Sequence, residues 1–167
     1  RALWAFGERE QVGVNLLALG EGARARPRAP EQLMWEVGKR TSIGVREAPR
    51  WVDPNNASEL YSAPLIVWLG QGPCPPLSER ARVNLSQHLR AGGLLMIDDI
   101  SPPGDERFDQ SVRATLNELW PERGLERADE GHTIFKSFFL LDRPYGRLRR
   151  QSHLEHIPFV KNKITRR

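Results

Sequence analysis

Two uninterrupted apolar runs, PLIVWLG at 64–70 and LLMI at 94–97, set the strongest limit on how this chain can fold. Neither alternates with polar residues, which is the pattern of strands covered on both faces, as in a parallel sheet. Between them Ser78 stands where a helix takes its N-cap. Ala81, Leu85 and Leu89 then recur at i, i+4 and i+8, and Gly92-Gly93 supplies the stop. Strand, helix, strand in that order predicts a βαβ unit with a right-handed crossover and both runs central in the sheet.

The remaining segments extend that unit. VGVNLLAL (12–19) reads as a first strand ending at Gly20-Glu21-Gly22, and PEQLMWEVGKR as an amphipathic helix. That helix opens on Pro30, carries Glu31 at its positive end and Lys39 and Arg40 at its negative end, and sets Leu33, Met34 and Val37 on one side. SIGVRE predicts a short second strand near 43–47, and DPNN a turn after Trp51. A last helix is expected over 106–119, with Phe108, Val112, Leu116 and Leu119 on one stripe. The expected fold is an α/β three-layer sandwich with a mainly parallel central sheet, its strands near 12–19, 43–47, 64–69 and 93–98. One domain is expected over 1–148, followed by a basic tail, 149–167, that loses periodicity and is expected to be poorly ordered.

Composition narrows the function. A chain of 167 residues is long enough for one sizeable core. Its single cysteine, Cys74, excludes an intrachain disulfide and any zinc site built on several thiolates. The longest apolar run, 64–70, is far short of the roughly 20 residues that cross a bilayer. The chain opens at Arg1 without methionine or leader, as a fragment or processed form would. The formal charge of +4 is concentrated at one end. From Arg143 onward eight Lys and Arg face only Glu155, whereas the first 142 residues carry 17 Lys and Arg against 20 Asp and Glu. No basic stripe with interleaved aromatics marks the body, so nucleic acid is not the expected partner, and polyanion binding by the tail is a minor alternative.

Four segments, LMWEVGKRTSI, PPLSERARVNLSQHLRAGGLLMIDD, FDQSVRATLNELWP and HTIFKSFFLLDRPYGR, span most of residues 30–150 and resemble a bacterial family known as domain of unknown function 4159. The most specific matches are His132, Ser137, Phe138, Leu140, Leu141, Gly146 and Arg147. The resemblance implies a flavodoxin-like fold similar to class I glutamine amidotransferases. It also implies proteins often exported or joined to membrane-anchored von Willebrand factor A-type modules, so a cell-envelope location is expected, with the cytoplasm as the alternative. It implies no assigned reaction. SHLEHI begins the family's continuation and PFVKNKITRR departs from it, so a last strand is expected to be missing or replaced.

Amidotransferase chemistry needs a cysteine on a tight strand-to-helix turn, where the helix N-terminus lowers the thiol pKa. The corresponding turn here reads Asp98-Asp99-Ile100-Ser101-Pro102-Pro103-Gly104, with no nucleophile. Cys74 follows the preceding strand between Pro73 and Pro75 and reads as incidental. His153 and Glu155 look like the His-x-Glu half of a triad without its partner, and His153 with His156 gives only a faint metal pattern. No catalytic residue, resident metal or cofactor is expected.

Adjacent carboxylates at the carboxyl end of a strand stand where open α/β sheets bind ligands. Asp98 and Asp99, with Glu21 and Gln71 on neighbouring turns, therefore form the candidate ligand rim, against the plainer reading of one capping and one solvated aspartate. His132 and Ser137, with Lys136, form a candidate binding lip, although the aromatic run Phe138-Phe139 reads more simply as a buried plug. The favoured function is a non-catalytic module binding a protein partner or small polar ligand. The alternative is an enzyme acting on a sugar or other small polar substrate at the rim.

Overall fold

The computed structural model describes residues 11–20, 23, 28–136, 141 and 153–158. The chain divides into two compact units, 1–119 and 120–167. The first unit is built on β1 (Val14–Leu17), β2 (Arg50–Val52), β3 (Leu65–Gly70) and β4 (Leu94–Asp99), with helices α1 (Arg28–Arg40), α2 (Ala57–Leu60), α3 (Glu79–Arg90) and α4 (Arg107–Leu119). The four strands form one sheet in the order β2-β1-β3-β4, and every pairing is parallel.

Strand alternation assigns the helices to faces. Val14, Leu16, Val67 and Leu69 point to one side and pack with Met34 of α1, with Val37, Trp51 and Leu65 against the edge of that cluster. Asn15, Ile66 and Trp68 point to the other. There Asn15 Nδ2 donates to the Glu59 and Leu60 carbonyls of α2 at 3.0 and 3.1 Å, and the Phe108 ring of α4 meets Trp68 edge-on at 5.6 Å. The third helix joins this second layer through α2, since Asn84 Nδ2 donates to the Pro54 carbonyl at 2.9 Å and the Tyr61 hydroxyl to Gln87 Oε1 at 2.9 Å. An α/β unit with helices on both sides of a parallel sheet results, consistent with a three-layer flavodoxin-like sandwich.

The expected helix signals act as anticipated. The Ser78 side chain accepts from the Ala81 N–H at 3.1 Å, and α3 ends before Gly92, whose φ of +97° only glycine adopts without strain. Buried Phe108, Val112 and Leu116 form the core stripe of α4.

Two expectations need correction. The second strand is not 43–47 but Arg50–Val52; Val45 makes only an isolated parallel bridge with Val12. The four residues from Val12 to Asn15 match six from Val45 to Arg50, so Glu47-Ala48-Pro49 bulges out before pairing resumes. Proline has no N–H for the ladder, which is why the regular strand starts after it. Nor is β4 central. It lies at the margin of the described sheet, and Leu94 and Met96, on the face that carries α1, stay 62% and 47% exposed. Continuous apolarity signalled a strand correctly but not its place in the order.

In the second unit β5 (Glu126–Arg127) and β6 (Glu155–His156) pair antiparallel, extended by an Ala128 N–H to Leu154 carbonyl bond of 2.8 Å. Arg123 Nη1 donates to the Pro158 carbonyl at 3.1 Å. A 3-10 turn, Thr133–Phe135, lies between the two strands in sequence. No helix among the described residues is long and apolar enough to cross a membrane.

Candidate functional site

The parallel register brings the ends of β3 and β4 side by side, with Leu69 opposite Asp98 and Gly70 opposite Asp99. Asp99 is exposed, and its Oδ1 accepts the Ser101 N–H at 2.8 Å, the capping use that adjacent carboxylates in a turn commonly serve. Asp98 is half-buried. Gln71, also half-buried, leads directly from β3 into Gly72, which turns the chain with a φ of +65°. Asp98, Asp99 and Gln71 thus share one rim, while Glu21 and Ser137 lie outside the described residues.

The space behind that rim is filled. Gly70 lies flat against the fully buried Phe108 ring, so a Cβ there would overlap ring carbons. Gly20, with φ of +78°, closes the turn after β1 and receives the Cys74 sulfur where a side chain would stand. Cys74 is held in that seat by its N–H to Ser111 Oγ at 3.1 Å, with its Sγ 3.9 Å from the Leu19 carbonyl. Burial pushes the thiol up to about 11, against a smaller opposing effect from Trp68. A thiol in this setting is overwhelmingly protonated at neutral pH and is a poor nucleophile.

His132 does not act as an isolated binding group. It N-caps the 3-10 turn, Nδ1 accepting the Ile134 N–H at 3.3 Å, and its ring centroid lies 4.4 Å from that of His156. Sequence spacing pointed to His153 with His156, whereas the ring contact formed by the fold joins residues 24 apart. His153 Nε2 is instead 3.9 Å from Glu155 Oε1, an exposed histidine beside a half-buried carboxylate. Among the described residues no group of three or more His, Cys, Asp or Glu is placed to hold a metal ion. In the aromatic segment, Phe135 is buried, Leu141 is exposed and donates its N–H to the Phe135 carbonyl at 2.8 Å, and Phe138 and Phe139 lie outside the described residues.

A second feature was missed by the sequence reading. An open groove of about 410 Å³ beside the edge strand is lined by Arg50, Trp51, Val52, Ser58, Glu59 and Ser62. The turn before it is locally determined: Asp53 Oδ1 accepts the Asn55 N–H at 2.8 Å, the Asn56 side chain N-caps α2, and Asn56 Nδ2 donates to Glu59 Oε1 at 2.8 Å. The signal was present in Asn56-x-x-Glu59, a capping-box-like spacing directly after the edge strand.

The model of one protein family, described as Domain of unknown function (DUF4159), matches residues 14–163, and the chain belongs to that family. No curated protein matches the chain.

Proposed function

Starting from that family membership, we propose that this chain is a non-catalytic domain on an amidotransferase-like scaffold, a module that binds a small polar ligand or a protein partner within a cell-envelope-associated bacterial protein. The observation that carries the reading is the seat of Cys74. Glutamine hydrolysis by this scaffold needs an activated thiolate at the strand-to-helix turn. Here that turn holds Asp99 capping Ser101, and the cysteine sits one strand away against Gly20 with its thiol pushed to about 11. Gly70 and Phe108 close the adjoining space, which also disfavours a substrate pocket behind the rim. The envelope association rests on the family resemblance alone.

The test is direct. Incubation with glutamine should release ammonia no faster than a protein-free control, and Cys74 should react with a thiol reagent at pH 8 far more slowly in the native chain than in the unfolded one. Glutamine turnover that disappears in Cys74→Ser would overturn the reading.

A further inference from the structure

Three residues of the groove beside β2 are tied to the buried Asn15, on the sheet face that carries α2. Arg50 stands opposite Asn15 in the parallel ladder, so its side chain leaves β2 on that face. Ser62 is bonded to Asn15 in both directions, its Oγ accepting from Nδ2 at 3.2 Å and donating to Oδ1 at 3.3 Å. Glu59 is fixed through its carbonyl, which accepts from the same Nδ2 at 3.0 Å. The groove of about 410 Å³ opens among these residues and Ser58. Trp51 packs against the Met34 cluster on the opposite face, and Val52 is only 2% exposed, so what the groove offers a ligand is polar.

Two opposite charges line this groove and do not meet. Arg50 makes no hydrogen bond or ion pair among the described residues. Glu59 is held back by the turn after β2, its Oε2 accepting the Asp53 N–H at 3.3 Å and its Oε1 accepting from Asn56 Nδ2 at 2.8 Å. Each carboxylate oxygen keeps a further lone pair. The serines add acceptors rather than donors. Ser58 commits its proton to Asn56 Oδ1 at 2.8 Å, and Ser62 commits its own to Asn15 Oδ1, so each hydroxyl has a lone pair left. A purely anionic molecule would meet the Glu59 carboxylate, and a purely cationic one the Arg50 guanidinium. A molecule that bears both charges satisfies each of them.

We propose that this groove binds a small zwitterion, an amino acid or short peptide, with its carboxylate on the Arg50 guanidinium and its ammonium on the oxygens of Glu59, Ser58 and Ser62. A guanidinium presents a carboxylate with two parallel N–H donors, and an ammonium brings three donors to a set of oxygen acceptors. A volume of about 410 Å³ admits a molecule of that size. The inference rests on reading the chain as a binding module and gives that module a ligand class and a location away from the strand rim.

The experiment uses the full chain labelled with nitrogen-15, titrated with glycine and with glycylglycine. Acetate and methylammonium, which carry one charge each, are titrated in parallel at matched ionic strength. The Arg50 Nε–H signal and the amides of Arg50 to Val52 and of Ser58 to Ser62 should move saturably with a zwitterion, and each single-charge compound should bind at least tenfold more weakly. Arg50→Gln should reduce zwitterion affinity to that of methylammonium, and Glu59→Gln to that of acetate. Arg50→Lys, which keeps the charge but loses the guanidinium fork, should recover only part of the first loss. Tighter binding of glycine assigns an α-amino acid, and tighter binding of glycylglycine a peptide. Acetate or methylammonium binding as tightly as glycine, movement that follows ionic strength alone, or saturable movement confined to other residues overturns the site. Any of these leaves the binding-module reading standing, whereas glutamine turnover lost in Cys74→Ser would overturn that reading without touching the groove.

Discussion

Substituting Gly70 by alanine tests whether the crevice behind the strand rim is truly closed. Gly70 has no left-handed φ, so alanine brings no backbone strain, and the whole cost must come from the Phe108 ring. The new methyl would stand far inside the 3.4 Å at which ordinary contact begins, so the ring must retreat by more than an ångström. Phe108 is fully buried and meets Trp68 edge-on at 5.6 Å, a geometry worth about 0.5–1.5 kcal/mol beyond burial. Overpacking of this kind costs about 1–3 kcal/mol. Phe108→Ala alone should cost about 3–5 kcal/mol. In that background the methyl enters vacated space, and Gly70→Ala should become neutral or stabilising by up to about 1 kcal/mol. The double-mutant cycle, measured by urea denaturation with m held constant, should therefore show a coupling of about 1–4 kcal/mol. Additivity of the two substitutions to within about 0.5 kcal/mol would refute the packing argument and return the rim to consideration as a ligand site.

Two further outcomes follow from local contacts. Removing the α3 cap by Ser78→Ala should cost about 1 kcal/mol in chemical denaturation, with Ser78→Thr recovering most of it; an unchanged midpoint in the alanine variant would mean the cap contributes nothing. His88 is fully buried beneath Gly93 and beside Tyr61, and burial pushes its imidazole below the usual range, partly opposed by the Pro64 carbonyl. Its folded pKa is depressed, so the unfolded chain takes up the proton first. The stabilising contribution is then complete above the unfolded value near 6.5 and is lost as pH falls below it. Denaturation midpoints between pH 8 and 5 should fall toward acid, and the slope should flatten in His88→Gln; an equal slope in both proteins would show that His88 is not responsible. Asp105, held near 2 by Arg107, titrates well outside that window.

The parts of the fold that were legible in the sequence are those decided by near neighbours. The α3 boundaries were readable because a serine hydroxyl and a glycine pair act within one turn of the residues they terminate. The β3-α3-β4 unit was readable because two apolar runs without polar alternation flank a capped amphipathic helix. What failed was position across the sheet: Leu94 and Met96 have the composition of interior residues, and only the assembled order places them at the margin. The rim was half legible. Asp98, Asp99 and Gln71 were correctly expected at neighbouring strand ends, but nothing local revealed that Phe108, 38 residues beyond Gly70 in sequence, would occupy the space behind them.

The approach of Arg46 to Arg50 shows the same limit most clearly. In an unbroken strand, Arg46 and Arg50 would share a face but lie about 13 Å apart along it. The bulge at Glu47-Ala48-Pro49 shortens the path. Arg46 lies over Gly13 and Arg50 stands opposite Asn15, positions two residues apart and therefore about 7 Å along the chain. Pro49 forbids continuous pairing, and the missing side chain of Gly13 receives the guanidinium. Each residue looks unremarkable in the sequence: a proline near a turn, a glycine in a strand, two scattered cations. Their joint effect depends on a register shift between strands more than 30 residues apart. Gly13→Ala should therefore expel the Arg46 guanidinium from its seat and lower the urea midpoint by about 1–3 kcal/mol of stability, and an unchanged midpoint would show that the seat contributes nothing.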